Sequence, residues 1–116
     1  MHDLALQAAG LLAIVAAAIH GVLGEAHVFR RARIEPASLR LLLRLVWQCG
    51  AVAWIGFGIL LLAAPSLELP LARHWIVAVA AGVFACGAIG NAWATRGRHF
   101  GWIALASVVG LSLAGV

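Results

Sequence analysis

Three polar side chains stand at one depth in the oily stretches of this chain: His20, Gln48 and Asn91. Each lies three or four residues from one end of an apolar run. At 1.5 Å per residue, that places all three about 5–6 Å inside a shared boundary. Just beyond them come Glu25, His27, Arg40, Arg44 and His99. An imidazole exchanges protons near neutral pH, amides give directional hydrogen bonds, and guanidinium groups supply fixed charge. Such a set, drawn from three segments at one depth, suits the binding or transport of a small polar or anionic molecule. Arg40 and Arg44 would attract it, and Gln48 and Asn91 would orient it. His20 with Glu25 would form a protonatable pair, and Trp54 would form an apolar floor.

Helical phase supports a common inner face. His20, Gly24 and His27 are spaced i, i+4, i+7 and line up on one side of a helix. Arg40, Arg44, Trp47 and Gln48 do the same on the next one. Glu25 is a natural partner for Arg44 or Arg40, because a charge near hydrocarbon costs several kcal/mol (roughly 3) unless it is paired or snorkels. Each residue also has a plain structural role open to it. Arg30, Arg31 and Arg33 suit topology and headgroup contact, Gln48 and Asn91 suit interhelical hydrogen bonds, and His27 and His99 suit solvation at the boundary.

Redox chemistry is a second possibility. His20, His27 and His99 are the candidate haem ligands, although no C-x-x-C-H attachment motif exists. A quinone site using His20, Arg44 and Trp47 would look similar in sequence. No cofactor is expected from motifs alone. His20, Glu25 and His27 do not form a compact metal-binding pair, so no metal is expected. Ser107 and Ser112 are expected deep in the fourth span, away from every His, and no nucleophile–base constellation marks an enzyme.

The elements that must position these groups are apolar helices. The chain has 116 residues, of which 65% are hydrophobic and 10% charged, and its mean hydropathy is +1.06. Soluble domains carry about 25% charged residues, and a chain this short could not hide so much apolar side chain from water. A span needs about 20 residues, and four segments qualify or nearly do: 4–24, 45–64, 75–94 and 100–116. The expected fold is therefore all-α, a single membrane domain over 1–116, with four transmembrane helices in an up-down bundle. The start "MHDLALQ" lacks the basic region of a signal peptide, so the first run is expected to be a span. Pro36 and Ser38 predict a turn and a helix start within the arginine-rich connection 25–44.

All eight basic residues are arginine, and seven lie in or beside the first and third connections. Only Arg73 lies on the other side. The positive-inside rule then places both termini outside the cytoplasm of a bacterial inner membrane. The basic balance implies contact with anionic lipid headgroups and not with nucleic acid. Trp47, Trp93 and Trp102 fit an aromatic belt at one boundary and Trp75 at the other, whereas mid-span Trp54 needs a pocket.

Small residues four apart allow helices to approach closely. The stripe Ala78, Gly82, Cys86, Gly90, Ala94 is the longest, and Ala13, Ala17, Gly21 and Ala106, Gly110, Ala114 are shorter ones. They point to packing within the bundle, a homo-oligomer, or docking on a larger membrane partner as a non-catalytic subunit.

Overall fold

The computed structural model describes all 116 residues and is all-helical. Helix α1 spans His2–Leu23 and runs on through a wider π-helical turn, Gly24–Val28, into a last turn, Phe29–Arg31. Helix α2 spans Ala37–Ala63 and tightens into a 3₁₀ turn at Ala64–Ser66. Helix α3 spans Pro70–Thr95 and α4 spans Gly101–Ala114.

The helix ends follow local chemistry. Pro36 precedes α2 in extended backbone and its carbonyl accepts from the Leu39 and Arg40 amides. Pro70 opens α3, five residues earlier than the apolar run suggests, because proline lacks only an N–H that the first helical turn leaves unpaired anyway. The α3–α4 turn closes with Arg96 and Gly97 in the left-handed region, at φ 52° and 71°. There the Gly97 amide returns to the Ala92 carbonyl at 2.8 Å, a cap that glycine adopts without steric cost.

Three stretches are long and apolar enough to cross a membrane: His2–Arg31, Ala37–Ser66 and Pro70–Thr95. The fourth differs from expectation. Helix α4 has 14 residues, a rise of about 21 Å against about 30 Å of hydrocarbon. Only 20 of the 116 residues are buried, and leucines and valines stand exposed along every helix. Exposed apolar surface on that scale, on helices this long and apolar, is compatible with a membrane protein.

Helix α1 packs along α2 and against α4, α3 packs along α4, and α2 and α3 touch little. One core joins Leu6, Ala9 and Ala13 of α1 to Leu61 of α2, Val77 and Phe84 of α3, and Val108 of α4. The closest crossing is between glycines: a Cβ on Gly10 would lie 2.6 Å from the Gly58 carbonyl oxygen. Ala13 and Ala17 are buried beside it. The longest small-residue stripe behaves otherwise. Ala78, Gly82, Cys86, Gly90 and Ala94 are all exposed, and a Cβ on Gly82 or Gly90 would meet open space. That stripe takes no part in holding the four helices together.

At the end where the termini meet, Arg73 binds the Asp3 carboxylate and the Gly115 carbonyl, each at 2.8 Å. It ties α3 to the start of α1 and the end of α4. Asp3 is exposed, which screens the ion pair. Arg73→Met is therefore expected to cost only about 1 kcal/mol, most of it from the hydrogen bond to the carbonyl. A thermal melt in detergent checks this, and an unchanged midpoint would refute the tie.

Candidate functional site

The site begins with the change of helical pitch in α1. Where the α-helix passes into the π turn, the Gly24 amide is shared between the His20 and Gly21 carbonyls, and two side chains of α2 add a further donor to each. Trp47 donates its indole N–H to the His20 carbonyl at 2.9 Å, and Gln48 donates to the Gly21 carbonyl at 3.1 Å. Gly24 is buried under the indole, and a Cβ there would sit 2.2 Å from Trp47 Nε1. The extra width of the turn also rotates the residues beyond it. His27 leaves the face that straight-helix spacing assigns it and is exposed, while His20 stays inside.

The His20 ring stacks on Trp47 with centroids 4.2 Å apart and planes 2° from parallel. It also packs on Trp54, at 4.6 Å and a 40° tilt. With an indole stacked on its face, the polar part of His20 left for a ligand is the in-plane edge with its nitrogens. Trp54 reaches across to α3, where it meets Phe84 and lies over Gly87, at which a Cβ would be 3.1 Å from its ring. Glycine at 87 thus admits the indole, a role that spacing suggests for Gly50 and Gly58. Gly50 faces open space and Gly58 faces Gly10 and Ile14.

These side chains wall a cavity of about 530 Å³ at the arginine-rich end, among all four helices. Its polar lining is His20 from α1, Asn91 and Thr95 from α3, and His99 before α4. Thr95 is occupied with the Asn91 backbone carbonyl at 2.7 Å. His99 accepts the Gly101 amide on Nδ1 at 3.1 Å. In a neutral ring the proton then resides on Nε2, which becomes a donor. Asn91 differs: its Oδ1 is buried and has no hydrogen-bond partner. Gly101 keeps the corner open, since a Cβ there would lie 2.8 Å from His99 Nδ1 and 3.1 Å from Asn91 Nδ2. Exposed Val15, Ile19 and Phe100 rim the cavity, so its mouth faces the surroundings through apolar side chains.

The chain matches no family model, no curated protein and no solved structure. The chemistry of the cavity is that of its own residues.

The polar layer expected from spacing is divided by the fold. His20, Trp54 and Asn91 line the cavity, whereas Glu25, Arg40, Arg44 and Gln48 do not. Arg44 holds the Glu25 carboxylate through two nitrogens at 2.7 Å, and Gln48 donates to its other oxygen at 3.0 Å. This cluster ties α1 to α2 on a side of the pair away from the cavity, where Glu25, Gln48 and Arg30 border a shallow groove. Arg40 donates to the Phe29 carbonyl and so caps the last turn of the α1 extension. Of the haem candidates, His20 and His99 share the cavity and His27 does not reach it.

Spacing does not single out Thr95, Gly87 or Gly101, and it assigns Trp47 to the lipid boundary. A visible signal does exist for Gly101. Glycine directly after His99 and Phe100, at the head of an apolar helix, is a poor helix starter that a close approach would explain. The side chains of His20 and Asn91 can each donate or accept, while neutral His99 has its Nε2–H to donate, so the cavity can pair with either polarity of a bound oxygen or nitrogen.

Proposed function

We propose that this chain is a multi-pass protein of a bacterial inner membrane that binds a small molecule in the cavity near its cytoplasmic face. The four helices form an up-down bundle, the arginine end lies in the cytoplasm, and both termini lie on the other side. Seven arginines against one support that orientation. One observation carries the function: a cavity of about 530 Å³ among the four helices, whose otherwise apolar wall includes His20, Asn91 and His99. The volume falls in the usual range for ligand sites, about 300–1,000 Å³. Binding and movement between bilayer and cytoplasm both begin with occupancy of this cavity.

The occupant has an apolar body and a few polar atoms. A strongly anionic ligand fits less well, because Arg40 and Arg44 are engaged elsewhere. A second reading, a subunit of a larger membrane complex or a homo-oligomer, is favoured by the exposed stripe from Ala78 to Ala94.

The test uses 1-aminoanthracene, a fluorescent ring probe, with the protein in lipid nanodiscs. Saturable enhancement is expected for the natural chain and is expected to be lost in Ala104→Phe, which fills the cavity from α4, with melting unchanged. Equal, non-saturable partition of the probe into both proteins would overturn the reading.

A further inference from the structure

Resting on that cavity reading, we propose that the occupant is a lipid-soluble quinone, its ring held between His20 on one side and Asn91 with His99 on the other.

The charge inventory narrows the ligand first. No Asp, Glu, Lys or Arg lines the cavity. An ammonium would lack its carboxylate, and a carboxylate or phosphate its cation, in surroundings where unpaired charge is costly. The ligand is therefore neutral. The same argument sets haem aside, since its two propionates would have no cationic partner within the lining.

The route narrows it further. The mouth is rimmed by Val15, Ile19 and Phe100, all exposed on helices that the lipid surrounds. A ligand arriving between them comes from the bilayer, and a hydrocarbon tail left in that gap stays in lipid while the ring enters.

Shape and hydrogen bonding then select a flat ring with oxygens on opposite edges. Trp47 and Trp54 provide broad apolar surfaces around His20, and offset stacking on an indole favours a planar guest. The polar groups stand on separate helices. His20 comes from α1, whereas Asn91 and His99 come from the α3–α4 corner kept open by Gly101. A fatty alcohol or sterol has one polar end and would leave one of these sets unmet. A quinone has two carbonyl oxygens, and its reduced form has two hydroxyls. The His20 imidazole and the Asn91 amide can pair with either, because each carries donor and acceptor atoms, and the His99 Nε2–H can donate to either oxygen. Against the oxidised ring, Asn91 Nδ2 and the His99 Nε2–H would donate to one carbonyl oxygen and a His20 ring N–H to the other, and the amide turned over would present its oxygen to a hydroxyl of the reduced ring.

The test is tryptophan quenching by decylubiquinone in nanodiscs. A background with Trp75, Trp93 and Trp102 each changed to Phe retains Trp47 and Trp54 as the only reporters. Saturable quenching is expected, weakened about fivefold to tenfold by Asn91→Leu and by His20→Phe, each of which removes hydrogen bonds at an otherwise similar volume. The 1-aminoanthracene signal is expected to survive Asn91→Leu and so to report an intact cavity. Non-saturable quenching that Asn91→Leu leaves unchanged, with the ring probe still saturating, would overturn the quinone and leave the cavity reading standing. Loss of saturation by both probes in the natural chain would overturn both. A strong absorption band near the haem region in the purified protein, persisting when decylubiquinone is added, would also overturn the assignment.

Discussion

Leucine in place of Gly10 or Gly58 is expected to destabilise the protein by about 3 kcal/mol or more, the upper end of what overpacking costs. A Cβ on Gly10 would approach the Gly58 carbonyl oxygen to 2.6 Å, and one on Gly58 would approach the Gly10 oxygen to 2.9 Å. A flexible side chain can turn away from such a contact, as Leu62 and Ile14 could here. A helix carbonyl cannot, because it is fixed in its own backbone ladder. The two helices must separate, and Leu6, Ala9 and Ala13 would then lose part of the core they share with Leu61. Leucine at Gly82 or Gly50 meets nothing within 4 Å. Melting there is expected to shift by no more than about 0.5 kcal/mol, with any effect of Gly82→Leu confined to assembly. Circular-dichroism melts of the four variants in one detergent decide the matter. Equal melting of Gly10→Leu and Gly82→Leu would sink the claim that the glycine crossing holds α1 to α2.

That contrast also separates properties legible in the residues from those that are not. Depth along a helix is a matter of counting. The common level of His20, Gln48 and Asn91 follows from their distance to the ends of apolar runs. The Glu25–Arg44 pair is legible too, since few charges lie near that boundary and each needs an opposite. Azimuth is different. Whether a side chain faces the cavity depends on which helices are neighbours and on the uniformity of the pitch between them. The π turn at Gly24–Val28 has no signature in residue type, yet it moves His27 off the face shared with His20. Gln48 and Arg44 share the level of the cavity and still turn away from it toward Glu25. Small-residue stripes carry the same ambiguity. Alanine and glycine let a helix approach something, and only the fold distinguishes buried Ala13 and Ala17 from exposed Gly82 and Gly90. Trp47 has the composition and position of a boundary tryptophan. Its place is decided by the His20 carbonyl, to which it is a donor, and by the His20 ring, on which it stacks.

The second large effect concerns that donor. Gly24→Ala is expected to cost about 2–3 kcal/mol and to abolish saturable binding of 1-aminoanthracene. The new methyl would lie 2.2 Å from Trp47 Nε1 and 2.5 Å from Cδ1. The indole is held there by its bond to the His20 carbonyl, its parallel stack with the His20 ring and an edge contact with Phe29 at 5.8 Å. It cannot move aside without releasing all three, and with them one wall of the cavity. The decisive comparison is a double-mutant cycle with Trp47→Leu, which removes the obstructing ring. Trp47→Leu alone should destabilise through the lost packing and the lost indole bond to the His20 carbonyl, which keeps only the Gly24 amide. If Gly24 exists to admit the indole, the double variant should be more stable than the sum of the single changes by at least about 1 kcal/mol. The methyl then meets no ring, and the helix gains from replacing glycine by alanine. Strictly additive losses would mean that the alanine acts on the π turn itself, and that the turn and the tryptophan wall are separate features of α1.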